Sequence, residues 1–126
     1  NIAGNAVTTS VSAYTSSAAN IKNYYSSTWF TAQSVAITTS GTLHIVVSIM
    51  KTYSSRVLSY RLKRDSTVIR SGDTTVNAAM HLSFPYEDTP TPGTYTYSLE
   101  VQATGSYDGY TKNVSHRSLL ILELKR

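Results

Sequence analysis

Three histidines, seven carboxylates and a run of cations are the groups in this sequence equipped to hold a metal, move a proton or grip an anion. His44, His81 and His116 lie far apart and show none of the short spacings that present paired imidazoles to zinc. They are expected to be solvated or hydrogen-bonded, unless a threefold axis gathers three copies of one of them. Glu87–Asp88 is the sole adjacent acidic pair, and Asp65, Asp73 and Asp108 fall at expected turn tips, where their side chains hydrogen-bond the local backbone. Glycoside hydrolysis needs two carboxyl groups facing each other across a cleft. Calcium needs several oxygens from one loop. The spacings suggest neither. The 19 serines leave a Ser-His-Asp arrangement open, but no G-x-S-x-G elbow is present. Cysteine is absent, which excludes disulfides, thiolate zinc sites and Cys nucleophiles. The expectation is a non-enzyme with no cofactor and no metal; a small hydrolase is the reading it displaces.

Two groups remain as binding candidates. The first is basic: Lys51, Arg56, Arg61, Lys63, Arg64 and Arg70 hold six of the 11 Lys and Arg, with Asp65 the one acid among them. Arg61, Lys63 and Arg64 are the core of this stripe. It would attract phosphates or an anionic cell-surface sugar. It would equally serve as a solvated hairpin face. Nucleic acid is not expected, because stacking aromatics are not interleaved with the cations and no RRM, KH or OB signature occurs. The second group is aromatic. Tyr24, Tyr25, Tyr107 and Tyr110 lie at or beside expected turns, with Asp108 and Asn113 close by. Tyrosine faces stack on sugar rings and supply contact area at low entropy cost, although the same rings would cap the ends of a sandwich. Asn113–Val114–Ser115 is a glycosylation sequon, a spacing that chance produces easily in a chain with so much Ser and Thr.

The elements that must position these groups are strands. Val7, Val11 and Tyr14 suggest one early strand within a weakly patterned 1–27 arm, and Ser16–Asn23 reads as loop. From Trp29 to Thr39 a period of two begins, with Trp29, Val35 and Ile37 on one side, and Ser40–Gly41 turns the chain. Leu43, Ile45, Val47 and Ile49 alternate with His44, Val46, Ser48 and Met50; both sets are largely apolar, so this strand is expected to be covered on both faces. Tyr53–Arg56 reads as a polar turn. Leu58, Tyr60 and Leu62 point inward against a wet Ser59, Arg61 and Lys63 face, and a turn at Arg64–Ser66 makes a hairpin with Thr67–Arg70. Ser71–Asp73 reads as a turn, Val76–Phe84 as a strand, and Pro85–Gly93 as a loop. Tyr95, Tyr97, Leu99, Val101 and Ala103 give the cleanest alternation, Asp108–Gly109 reads as a hairpin tip, and a last strand spans about Thr111–Lys125. A short uncapped helix at Leu119–Lys125 is the alternative for that last stretch.

A chain of 126 residues fits one domain. Charged residues make up 14%, well under the roughly 25% usual for soluble domains, while Ser and Thr together number 37 of 126. That composition favours strands over helices. About eight strands with no sustained helical period predict an all-β antiparallel sandwich, jelly-roll or another Greek-key wiring. Apolar runs reach about four residues, far from the ~20 of a membrane-spanning helix, so no membrane insertion is expected. The chain begins at Asn1 with neither Met nor a signal-like segment, and is expected to be a piece of a longer protein.

The stretch Asp88-Thr-Pro-Thr-Pro-Gly-Thr-Tyr-Thr-Tyr-Ser-Leu-Glu-Val101, followed by a Gly-containing hairpin and by Arg117-Ser-Leu-Leu-Ile-Leu-Glu-Leu-Lys-Arg126, resembles C-terminal domains of bacteriophage tail fibres and related virion proteins. The likeness covers about Thr42–Arg126 and is densest over the last forty residues. It implies a β-sandwich, often a homotrimer with Leu119–Leu124 near the threefold axis or in the inner sheet, located in a virion. It carries over no catalytic residue. The expectation is a distal fibre domain binding a bacterial surface saccharide or lipopolysaccharide, with the remainder of a fibre or capsid as partner. The second expectation is a capsid decoration or trimerisation module without a ligand of its own.

Overall fold

A computed structural model describes residues 7–74 and 77–124. Among them are nine strands and no helix: β1 Val7–Thr15, β2 Ala19–Asn20, β3 Phe30–Thr39, β4 Thr42–Lys51, β5 Leu58–Arg64, β6 Thr67–Asp73, β7 Met80–Asp88, β8 Gly93–Ala103 and β9 Asn113–Leu124. They form two sheets. The five-stranded sheet runs β1-β9-β4-β7, with β2 also on β9; the four-stranded sheet runs β3-β8-β5-β6. All pairs are antiparallel. The chain changes sheet at β2–β3, β3–β4, β4–β5, β6–β7, β7–β8 and β8–β9, and β5–β6 is the hairpin within one sheet. Two interlocked Greek keys wound in this way are a jelly roll, so the all-β sandwich expected from the sequence is what forms.

Alternation builds the core between the sheets. Leu43, Ile45, Val47 and Ile49 of β4 face Leu58, Leu62, Tyr97, Leu99 and Val101 of the other sheet, all essentially inaccessible to solvent. Each such side chain contributes roughly 1.5–3 kcal/mol by leaving water. β8 lies between β3 and β5 and buries its odd-numbered residues, as its alternation predicts.

Several expectations are corrected. β4 is not covered on both faces: it is central in its sheet, but Val46 and Met50 are exposed on the outer side. β7 continues through Pro85 to Asp88 where a loop is expected. It pairs only with β4, so the proline, which lacks an N–H, costs no ladder bond on the free edge. At its other end β7 begins at Met80; Asn77–Ala79 are not strand, and Val76 lies outside the described residues. Ser71–Asp73 extends β6 instead of turning. Gly72 fits there because the Tyr60 ring crosses it, and a Cβ at that position would sit 2.6 Å from the Tyr60 hydroxyl. Asp108–Gly109 is not a hairpin tip, because β8 and β9 lie in different sheets and residues 104–112 cross between them. Residues 119–124 are strand and not helix, while Lys125 and Arg126 lie outside the described residues. The loop expected at Ser16–Asn23 contains the short β2, and Tyr53 in the supposedly polar turn is buried.

Candidate functional site

The winding brings the connections 21–29, 52–57 and 104–112 to one end of the sandwich. They are knitted to one another through the backbone. Ala103 N–H donates to Tyr24 C=O at 3.0 Å, Ile21 N–H to Lys112 C=O at 2.7 Å and Thr52 N–H to Asn113 C=O at 3.0 Å. Asp108 is the clamp of the 104–112 loop. One carboxylate oxygen accepts from Arg56 Nε at 2.9 Å; the other accepts from Lys112 Nζ and from Tyr110 N–H at 3.0 Å. Hydrogen bonds from Lys112, Arg56 and the Tyr110 backbone hold this carboxyl well below the usual carboxylate range. The Lys112 side chain is only 2% exposed and also donates to Tyr110 C=O at 3.1 Å. Gly105, at φ +82°, leaves the space that the Arg56 guanidinium fills; a Cβ there would sit 2.0 Å from Arg56 Nη1.

Beside this clamp lies an open cleft of about 380 Å³, walled by Thr52, Tyr53, Ser54, Ser55, Tyr110, Thr111 and Asn113. That is within the usual range of small-molecule sites. The wall carries hydroxyls, one side-chain amide and the Tyr110 residue, 69% exposed, and no carboxylate. The Tyr53 hydroxyl is buried and finds no hydrogen-bond partner among the described residues; burial pushes its pKa up. Under it, the buried Lys51 ammonium lies 4.2 Å from the Tyr53 ring centre and donates to Tyr53 C=O at 2.5 Å and Ala78 C=O at 2.9 Å. Desolvation lowers the pKa of Lys51.

The aromatic candidates thus gather at one end, but they divide the work. Tyr110 borders the cleft. Tyr25 and Tyr107 pair with centroids 6.1 Å apart, and Tyr24 packs edge-on against Phe30 at 5.2 Å, at the margin of the core. Asp108 positions the loop and has both oxygens occupied.

Of the basic candidates, Lys51 and Arg56 lie at this end, whereas Arg61, Lys63 and Arg64 lie elsewhere and are paired with carboxylates far away in sequence. Arg61 Nε donates to Glu100 at 2.6 Å while its guanidinium lies over the Trp29 ring at 4.2 Å; Lys63 reaches the same carboxylate at 3.8 Å. Arg64 stands at the opposite end of the sandwich, giving Asp88 hydrogen bonds of 2.8 and 2.9 Å, and Tyr97 donates to Asp88 at 2.6 Å. The bond to Asp88 raises the Arg64 pKa. The single acid counted along the stripe understates its neutralisation, because antiparallel pairing sets Glu100 directly across from Arg61. Thr52, Ser54, Ser55 and Thr111 are cleft walls that no spacing in the sequence marks, and Trp29 stacks under Arg61. The histidines do not meet: His44 pairs with Glu87 at 3.1 Å, His81 with Ser48 at 2.6 Å and His116 with Ser115 at 3.1 Å. No cluster of three His, Asp or Glu suited to a metal occurs among the described residues.

No family model matches the chain, and no curated protein matches it in sequence. Solved structures do share its fold. The VP2 subviral particle protein of infectious bursal disease virus aligns over 93% of this chain with a TM-score of 0.64 at 14% identity. This chain spans about a third of that protein, 32% of its length. A C-terminal domain of EclA, described as a sugar-binding protein, aligns over 84% of this chain and 77% of its own length, with a TM-score of 0.52 and 14% identity. The CBM36-1 domain of a multidomain xylanase from the hindgut metagenome of Trinervitermes trinervoides aligns over 90% and 96%, with a TM-score of 0.50 and 13% identity. At such identities the likeness is one of fold.

Proposed function

We propose that this chain is a virion surface domain, the distal part of a phage tail fibre, that binds a host-surface saccharide at the end carrying Tyr110. The observation that carries the reading is the cleft: a largely exposed tyrosine beside Thr52, Ser54, Ser55, Thr111 and Asn113, on a loop fixed by a doubly ion-paired carboxylate. Hydroxyls and an amide donate to and accept from sugar hydroxyls, the ring offers a stacking face, and a fixed loop loses little entropy on binding. A neutral saccharide suits this wall better than the phosphates of lipopolysaccharide, since Arg61, Lys63 and Arg64 already face carboxylates. With no carboxylate in the wall, the role is binding without turnover. The tail-fibre likeness of the C-terminal sequence and the capsid and sugar-binding company of the fold support the reading.

The test is a microarray of bacterial surface glycans probed with the wild-type chain and with Tyr110→Ala. The wild type is expected to mark a restricted set of glycans, and the variant to lose at least about tenfold in signal, the order of one lost stacking contact. An array on which both proteins are blank counts against the proposal.

A structural module of a virion, without a ligand, is the second reading. It is favoured by the 0.64 TM-score to a capsid protein, higher than that to either sugar-linked domain. It predicts attachment to assembled particles or to the rest of a fibre and indifference to glycans.

A further inference from the structure

The Tyr110 cleft has a neighbour. β4 ends at Lys51, which pairs with Val114 of β9 on one side and with Met80 of β7 on the other. The cleft lies on the β9 side, where Asn113 and Thr111 wall it. On the β7 side is a second hollow of about 320 Å³, walled by Met50, Lys51, Thr52, Ala79, Met80 and His81. Thr52 belongs to both walls. It is held there twice, because its N–H and its hydroxyl both donate to Asn113 C=O, at 3.0 and 2.8 Å. A ligand seated against Tyr110 reaches the second hollow by crossing that one residue.

The two hollows differ in chemistry. The first presents hydroxyls, an amide and a ring. In the second the polar groups are already engaged. The Thr52 hydroxyl donates to Asn113, His81 Nε2 shares a hydrogen bond of 2.6 Å with Ser48, and the Lys51 ammonium turns inward to the Tyr53 and Ala78 carbonyls. What is left to meet a ligand is apolar: Met50, 36% exposed, together with the exposed Ala79 and the half-buried Met80. A sugar hydroxyl placed here would give up its water and find the protein's partners taken. A methyl group has no such loss, and unbranched methionine side chains adapt to its shape.

We propose that the second hollow is a subsite of the saccharide site and takes a methyl-bearing substituent of the glycan, the methyl of an N-acetyl or O-acetyl group or of a deoxy sugar. The inference rests on the saccharide reading and narrows the ligand within it. Met50, Ala79 and Met80 become specificity-determining residues, while Tyr110 supplies affinity for any sugar that stacks on it. One methyl more or less in an apolar pocket is worth roughly tenfold in binding.

Matched pairs on a glycan array test it: chitobiose against cellobiose, rhamnose-terminated against mannose-terminated chains, and an O-acetylated polysaccharide before and after mild alkali. The proteins are the wild type, Met50→Asn, Ala79→Asn and Tyr110→Ala. The wild type is expected to bind the methyl-bearing member of at least one pair about tenfold more strongly, and the pair that responds identifies the source of the methyl group. Met50→Asn and Ala79→Asn are expected to bring the two members level while binding the one without the methyl group as the wild type does. Tyr110→Ala is expected to weaken both members alike. Ala79 is exposed and precedes β7, so its substitution reports on the hollow even where Met50→Asn disturbs β4. Wild-type binding that ignores the methyl group in every pair, or a preference that survives both substitutions, overturns the subsite and leaves the saccharide reading standing. A wild type that marks no glycan overturns both.

Discussion

At one end of the sandwich the connections 40–41, 65–66 and 89–92 are two to four residues long; at the other, 21–29, 52–57 and 104–112 are six to nine. Carboxylates organise both ends. At the short end Glu123 accepts from Thr39 at 2.5 Å, Thr8 at 2.6 Å and Ser40 N–H at 3.0 Å, fastening β9 to the β3–β4 turn and to β1. Asp88 similarly fastens Arg64 and the buried Tyr97. These bonds draw strand ends together. At the long end Asp108 is gripped by two cations and a backbone N–H of its own loop, and the loop is held beside a cleft. Short turns are already fixed by the ladders next to them. A nine-residue crossing has no ladder, so charge-assisted bonds, about twice as strong as neutral ones, take that role. The same chemical device closes one end and shapes a binding surface at the other.

The contrast can be broken most severely at Asp88. Asp88→Ala strands the Tyr97 hydroxyl in the interior and removes the Arg64 partner, and is expected to destabilise the fold by about 2–3 kcal/mol. Urea denaturation measures this. Binding at the far end should be unaltered once the variant is folded.

Glu123 sharpens the contrast through pH. Its carboxyl titrates at about 2 in the fold against an ordinary 4.5, because Thr39 and Thr8 hydroxyls and the Ser40 N–H favour the ionised form. A folded value below the unfolded one means the stabilisation is complete above 4.5 and is lost as pH falls towards 2. The wild-type melting temperature should therefore drop by several degrees more across that window than that of Glu123→Gln. Parallel pH profiles would remove Glu123 from this account. Asp108 is held lower still, so the loop clamp remains ionised, and glycan binding should not vary with pH through the neutral range.

Much of the fold was legible in the residues. The alternation of Tyr95 to Ala103 and of Leu58 to Lys63 defined β8 and β5, and Arg64–Asp65–Ser66 marked their neighbouring hairpin turn; Asp65 adopts φ +53° there. What a period of two cannot state is which strand lies alongside. Pro85 argued against a strand until β7 proved to be an edge, and Asp108–Gly109 argued for a hairpin until its flanking strands proved to lie in separate sheets. The site was half legible for the same reason. Tyr107, Asp108 and Tyr110 are adjacent in sequence and were found together. Ser54 and Ser55 join Tyr110 across more than fifty residues, and Glu100 neutralises Arg61 across a strand pair, juxtapositions that exist only after the jelly roll is wound.

The location of sugar binding is the point on which the functional account turns, and amide chemical-shift mapping reads it directly. Titrating a saccharide that scores on the array into isotopically labelled chain should move the amides of Thr52–Ser55 and Tyr110–Asn113 and leave Arg61–Arg64 still. Shifts centred on Arg61–Arg64 or on the five-stranded face, with the Tyr110 end silent, would contradict it.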